Sequence, residues 1–225
     1  MVTRAVEDYL KAIYKLQQVG APATTNAIAD GMGLRAASVT AMLQHLSKQG
    51  LAVYTPYRGA ALTEQGEAAA LRTIRRHRLI ELYLHQHLGV PWDRVHDEAE
   101  RLEHVISPYL EERIDAALGY PRFDPHGDPI PTSAGVLPVQ NVVPLADLPV
   151  DTPSDVRRIS DTNPDLLRYV ASLGLVPHAL VTITARSPFD GPIYLVVTSP
   201  FEGNSAPVQQ VIGVEVARNI FVSRP

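Results

Sequence analysis

The spacing of apolar residues changes period part-way along this chain, and that change restricts what it can fold into. Up to about residue 118 the apolar positions recur at helical spacing, in segments separated by Gly and Pro. Beyond about residue 155 they alternate or form β-branched runs, at Val156–Ser160, Leu180–Arg186, Ile193–Thr198, Val208–Val211 and Ile220–Val222. One short helix, Asp165–Ser172, interrupts these strands. Residues 119–154 are rich in Pro and Gly with little periodicity, as in a linker or an extended segment packed on its neighbours. The expected class is mainly α with a small β part, a β-barrel of about 70 residues at the C-terminal end.

The first helices have an order of their own. Residues 4–19 put Val6, Tyr9, Leu10, Ile13 and Leu16 on one face, and Gly20-Ala21-Pro22 ends that helix. Thr24 or Thr25 caps a short helix through Asp30, and Gly31-Met32-Gly33 makes a tight turn. A third helix, Arg35 to about Gln49, turns Val39, Met42, Leu43 and Leu46 to a core. Leu51–Tyr54 and Ala60–Thr63 then flank Thr55-Pro56-Tyr57-Arg58-Gly59 as a hairpin. This is the order of a winged helix-turn-helix, whose third helix lies in the major groove of DNA. The exposed N-terminal side of that helix offers Arg35, Ala37, Ser38, Thr40 and Gln44, and the wing tip offers Tyr57 and Arg58. Arg reads guanine edges, while Ser and Thr reach phosphates or bases. The net charge is −4, yet Lys and Arg outnumber Asp and Glu within residues 1–72. A small helical domain used for protein contacts is the alternative.

A long helix from about Thr63 to Leu88 precedes a helix at about 93–106, and another follows at about 108–118. The long helix carries His77 and Glu81 at i,i+4; the next carries His96, Glu100, Glu103 and His104. At ~100° per residue these four share a stripe about a quarter-turn wide. It lacks the Lys or Arg that would form i,i+4 pairs on a solvated face. Asp8 sits on the first helix among apolar neighbours, and Asp124 and His126 lie in the Pro-rich stretch Phe123–Pro131. The chain has no Cys, which excludes disulfides, thiolate ligands and Cys nucleophiles. A metallopeptidase would place His-Glu-x-x-His on one helix, a pattern that does not precede Glu103-His104. The C-terminal barrel can bind a peptide, dock internally or donate ligands. A polar N-terminus, and no run near the ~18 apolar residues of a membrane span, point to a cytoplasmic protein with no membrane partner.

Several stretches together resemble the diphtheria-toxin-repressor family of metal-dependent transcriptional regulators, over essentially the whole chain. They are Val6-Glu-Asp-Tyr-Leu-Lys-Ala-Ile-Tyr14, the helix-turn-helix, Arg76-His-Arg78, Val95-His-Asp-Glu-Ala99, Glu103-His104, Pro125-His-Gly-Asp-Pro-Ile-Pro131 and Leu173-Gly-Leu-Val-Pro177. The resemblance implies a winged helix-turn-helix DNA-binding domain at 1–72 and a helical metal-binding and dimerisation domain at 73–140. It further implies a linker at 141–154 and an SH3-like domain, related to FeoA, at 155–225. It places a first metal site on Asp8, Glu100, Glu103 and His104, with His77 beside it. A second falls on Glu81, Asp124, His126 and Asp161, with His96 and His77 as further candidates. Manganese-type members carry acids where this chain has Asp8 and Glu100, whereas iron-type members carry Met and Cys. Some manganese-type members also have an acid where this chain has Lys11, and many longer members have Cys where it has Asp124. Carboxylates suit Mn²⁺ on chemical grounds as well. Mn²⁺ is the expected ion and Fe²⁺ the alternative; Zn²⁺ and other divalent ions, which stand above Mn²⁺ in the affinity order, are expected to bind in vitro. Neither catalysis nor an organic cofactor is implied.

The mechanism this suggests is electrostatic. Without metal, Asp8, Glu100 and Glu103 repel and the first helix is loosely held. A divalent cation pins that helix to the 93–106 helix, so that a homodimer fits a palindromic operator in double-stranded DNA and represses metal-uptake genes. A ~100-fold preference of the ion for the DNA-competent state corresponds to about 2.7 kcal/mol. Two other classes remain: a regulator whose effector is a small molecule in the barrel, and a metal-dependent hydrolase on the helical domain.

Overall fold

The structure, a computed structural model, describes residues 3–160, 163–200 and 206–224. The chain divides into two compact units: 1–77 with 103–106 and 131–136, and 78–102 with 107–130 and 137–225.

The first unit holds α1 (Arg4–Gln18), α2 (Thr25–Met32), α3 (Ala36–Lys48), the hairpin β1 (Ala52–Thr55) and β2 (Gly59–Leu62), and the first part of α4 (Glu64–Leu88). The Thr3 and Thr24 hydroxyls accept from Val6 N–H and Ala27 N–H, capping α1 and α2 as a short polar side chain does at an N-terminus. The turn expected over 31–33 is tighter in the structure. Helix α2 continues through Gly31 and Met32, and Gly33 alone reverses the chain at φ 64°, its N–H reaching the Ala29 and Asp30 carbonyls. Leu10, Ile13, Ile28, Val39, Leu43 and Leu46 are fully or almost fully buried, each burial being worth about 1.5–3 kcal/mol. Met42, expected among them, is only partly covered. The wing is anchored at its base. Ala60 N–H bonds to the Ala23 carbonyl at 2.9 Å, and Gly59 (φ 98°) passes so near that a Cβ would lie 2.4 Å from that oxygen.

The second unit contains the rest of α4, α5 (Val95–Leu102), α6 (Pro108–Ala117) and the β part. Helix α5 is shorter than the 93–106 expected. Glu103 and His104 lie in a turn beyond its end, so the helical stripe does not describe them. The physical reason lies ahead of it: Ser107 precedes Pro108, takes an extended conformation (ψ 157°) and caps α6 through Leu110 N–H. The β part is a six-stranded antiparallel sheet, order β3-β8-β4-β5-β6-β7. Its strands are β3 (Val142–Pro144), β4 (Pro153–Ile159), β5 (Leu180–Arg186), β6 (Ile193–Thr198), β7 (Val208–Ile212) and β8 (Ile220–Ser223), with α7 (Pro164–Ser172) and α8 (Val214–Arg218). Register breaks at Val156/Arg158 and Ile183/Ala185 bend it. Alternate residues Ile193, Leu195 and Val197 are buried, as the period-two pattern requires. Within residues 142–148, which the sequence assigns to a linker, Val142–Pro144 pair with β8 and the turn after them places Leu145 and Leu148 in the core of this sheet. Helix α8 carried no expectation. No helix among the described residues is long and apolar enough to cross a membrane.

Candidate metal centre

In the first unit α1 and the turn after α5 bring ligand atoms of Asp8, Glu103 and His104 within 4.8 Å of one another. Glu103 is wholly buried, and the His104 side chain is 4% exposed. His104 Nδ1 lies 2.6 Å from Glu7 Oε2. The carboxylate accepts, so Nδ1 carries a proton and Nε2 is the ring atom turned toward the other acids. That Nε2 makes no hydrogen bond, yet sits 2.8 Å from Asp8 Oδ1 and 3.2 Å from Glu103 Oε1. Three electron-rich atoms thus converge where a cation would be favourable. An imidazole and two carboxylates, without sulfur, form the donor set of a hard or borderline divalent ion.

Glu103 is not left to repel its neighbours, as the electrostatic expectation required. Lys11 Nζ donates to its Oε1 at 2.6 Å, and His77 Nδ1 lies 2.5 Å from its Oε2. Burial pushes the Glu103 carboxyl up, but the hydrogen bonds and charges of His77 and Lys11 outweigh it and hold the group below its ordinary value. Asp8 also faces Arg4, 3.9 Å away.

The second unit gathers Glu81 from α4 with Asp124 and His126, again with ligand atoms within 4.8 Å. All three are buried. The turn that carries Asp124 and His126 is set by an Asx arrangement: Asp124 Oδ1 accepts from the N–H groups of His126 and Asp128, both at 2.9 Å. Arg78 holds Asp124 and Asp128 at 3.6 and 3.3 Å. His126 Nε2 donates to the Trp92 carbonyl at 2.8 Å and its ring stacks on Trp92, which leaves Nδ1, without a hydrogen bond, as the ligand atom. Gly127 seats the turn against β4: at φ 90° its Cβ would stand 1.9 Å from the Arg157 carbonyl oxygen. Ile159 N–H bonds to the His126 carbonyl at 2.9 Å.

The other candidates fall as follows. His96 bonds Glu81 Oε1 through Nδ1 at 3.1 Å, and its Nε2 is 3.8 Å from Glu100 Oε1. Glu100 lies on α5 and belongs to the second unit, whereas Asp8, Glu103 and His104 belong to the first. Asp161 lies outside the described residues. Glu7, Lys11 and Arg76 were not singled out as site residues. Glu7 adjoins Asp8 within the same motif, but nothing in helical spacing distinguishes a ligand from the residue that orients one.

The candidates for DNA contact are mostly at the surface of the winged helix. Arg35, Ala37, Ser38, Gln44, Tyr57 and Arg58 are exposed, and Thr40 is partly covered, its hydroxyl bonded to the Ala36 carbonyl. Thr40, Gln44 and Tyr57 line a groove with Thr25, Asn26 and Tyr54.

The chain is similar to known proteins over most of its length. Residues 1–60 match the iron-dependent-repressor N-terminal DNA-binding domain, 63–132 the metal-binding and dimerisation domain of the same repressors, and 143–224 the FeoA domain. The chain is 34% identical to the iron-dependent repressor IdeR of Mycobacterium tuberculosis over 189 residues, 79% of this chain and 82% of that one. It is 37% identical over 114 residues to the transcriptional regulator MntR of Lysinibacillus sphaericus, spanning 51% of this chain and 81% of that protein. A solved manganese-dependent transcriptional repressor in complex with manganese superposes with TM-score 0.89 at 38% identity, covering 97% of this chain and 99% of the other. The manganese regulator SloR superposes with TM-score 0.76 at 30% identity, covering 98% of each. The chain belongs to the diphtheria-toxin-repressor family of metal-dependent, DNA-binding transcriptional repressors.

Proposed function

We propose that this repressor responds to manganese and binds a palindromic operator as a cytoplasmic homodimer, without catalysing a reaction. One observation carries the reading: Asp8, on the first helix of the winged-helix unit, converges with Glu103 and His104 on an all-N/O donor set. We assign the first site to these three, with Glu100 and His77 as candidate additions. The second goes to Glu81, Asp124 and His126, with His96 and the motif residue Asp161. A bound divalent cation supplies positive charge and a demand for several donors at once. Asp8 then holds α1 to the 103–104 turn, and α1, which packs against α2 and β2, holds the reading helix α3 and the wing in register.

An electrophoretic shift on the DNA upstream of the chain's own gene tests this. Mn²⁺ is expected to produce the shift, EDTA to remove it, and Glu103→Ala to abolish the metal response while the dimer stays folded. A shift indifferent to both Mn²⁺ and EDTA overturns the reading. Iron is the second reading, favoured by 34% identity to a repressor named as iron-dependent. Asp8→Met separates the two: under the manganese assignment it weakens the Mn²⁺ response and improves that to Fe²⁺. Unchanged preference refutes the role given to Asp8.

A further inference from the structure

His104 reaches two acidic residues that are neighbours on α1. Its Nε2 faces Asp8 Oδ1 at 2.8 Å, and its Nδ1 faces Glu7 Oε2 at 2.6 Å. The other oxygen of Glu7 accepts from Arg76 Nη2 on α4 at 2.7 Å. Arg76 also touches Thr73 Oγ1, one turn back on α4, at 3.4 Å. Glu7 and Arg76 side chains are 16% and 17% exposed, and His104 is nearly enclosed. The carboxylate is therefore fixed at both oxygens, by a cation on one side and an imidazole N–H on the other.

We infer that Glu7 is the positioning residue of the first site: held by Arg76, it fixes the His104 tautomer that turns Nε2 toward Asp8 and Glu103. This rests on the reading of Asp8, Glu103 and His104 as metal ligands. An imidazole that ligates a metal donates its other N–H to a carboxylate or carbonyl, which sets the ring's orientation and raises the basicity of the ligating nitrogen. Glu7 meets both requirements, and an ionised acceptor does so more strongly than a neutral one. The second cluster uses a different device, since His126 gives its N–H to the Trp92 carbonyl. The two histidines are oriented by unlike acceptors, so a change at Glu7 acts on one cluster alone.

The test uses the full-length protein with ¹⁵N in its histidine rings, His104 being assigned with His104→Gln. In the metal-free wild type the His104 proton is expected on Nδ1. Glu7→Ala shifts the population toward the Nε2–H form, a change that a purely structural role would not produce. Calorimetric titration with Mn²⁺ should show first-site affinity falling about 10- to 100-fold in Glu7→Ala. Glu7→Gln, which accepts the N–H without a charge, falls between. Mn²⁺ binding at Glu81, Asp124 and His126, followed by Trp92 fluorescence, keeps its wild-type affinity. If tautomer and first-site affinity both stay at wild-type values in Glu7→Ala, the assignment of Glu7 is overturned while the ligand role of His104 stands. If His104→Gln binds Mn²⁺ like the wild type, the metal reading beneath it falls as well.

Discussion

Lys11→Met changes one charge and little else, because a Met side chain retains most of the lysine stem. In the structure the Lys11 ammonium is 2.6 Å from Glu103 Oε1, with Lys11 6% exposed and Glu103 fully buried. Removing one partner of a buried pair leaves an uncompensated charge and costs about 3–5 kcal/mol. His77 remains 2.5 Å from the other Glu103 oxygen, so the lower end, about 3 kcal/mol, is expected in metal-free protein. For a chain of this size each kcal/mol moves the melting temperature by about 2–4 °C, giving a drop of about 6–12 °C in EDTA. Saturating Mn²⁺ returns positive charge to the carboxylate, so the loss shrinks to about 1 kcal/mol or less, a drop of about 2–4 °C. Scanning calorimetry of both proteins in EDTA and in excess Mn²⁺ measures the four values. An equal drop in the two conditions, or none in EDTA, refutes the idea that Lys11 substitutes for metal charge at Glu103.

Trp92 is the chain's single tryptophan and stacks 5.5 Å from the His126 ring. Mn²⁺, being paramagnetic, should quench its fluorescence, and His126→Ala should remove the response; a silent wild type would count against the second cluster. Gly127→Ala puts a Cβ into the Arg157 carbonyl at a left-handed φ, so a stability loss of at least about 1–3 kcal/mol is expected from the backbone alone, and wild-type melting would contradict the close approach. Arg35→Ala should cost about 1–3 kcal/mol on the specific operator if Arg35 reads a base; an equal loss on all DNA shows a phosphate contact instead. Since the folded-state value of Glu103 lies below its ordinary 4.5, its stabilisation is complete above that value and is lost as pH falls through the lowered one. Metal-free wild type should therefore lose stability more steeply than Glu103→Gln in that acid window, by urea titration at stepped pH. Parallel curves would show that Glu103 is not held ionised.

The winged helix was readable because Gly20, Gly33, Gly50 and Gly59 punctuate segments whose apolar residues keep strict helical spacing. The sheet was readable for a similar reason: burial alternates through β6 and the first half of β5, and the limits of both strands agree with the sequence reading. Residues 142–148 were not. Pro138 and Pro144 bracket a piece too short to show a period, and only the long-range partner β8 makes a strand of Val142–Pro144. The site divides in the same way. Its residue types stood out in a chain without Cys, but the helical wheel drew Glu103 and His104 onto α5, whereas they lie in the turn between that helix and Pro108. Glu7, and the pairing of Lys11 with Glu103, escaped notice because they depend on segments some 90 residues away in sequence.

Lys11 also bears on the concentration at which such a sensor would trip. An ion that takes up Glu103 Oε1 meets a carboxylate already bonded to an ammonium 2.6 Å away. Each 1.4 kcal/mol of that attraction given up on metal entry raises the half-saturating metal concentration about tenfold. The detection threshold is then written partly into a side chain that need never touch the metal, and it can be reset by altering Lys11 while the donor atoms stay the same.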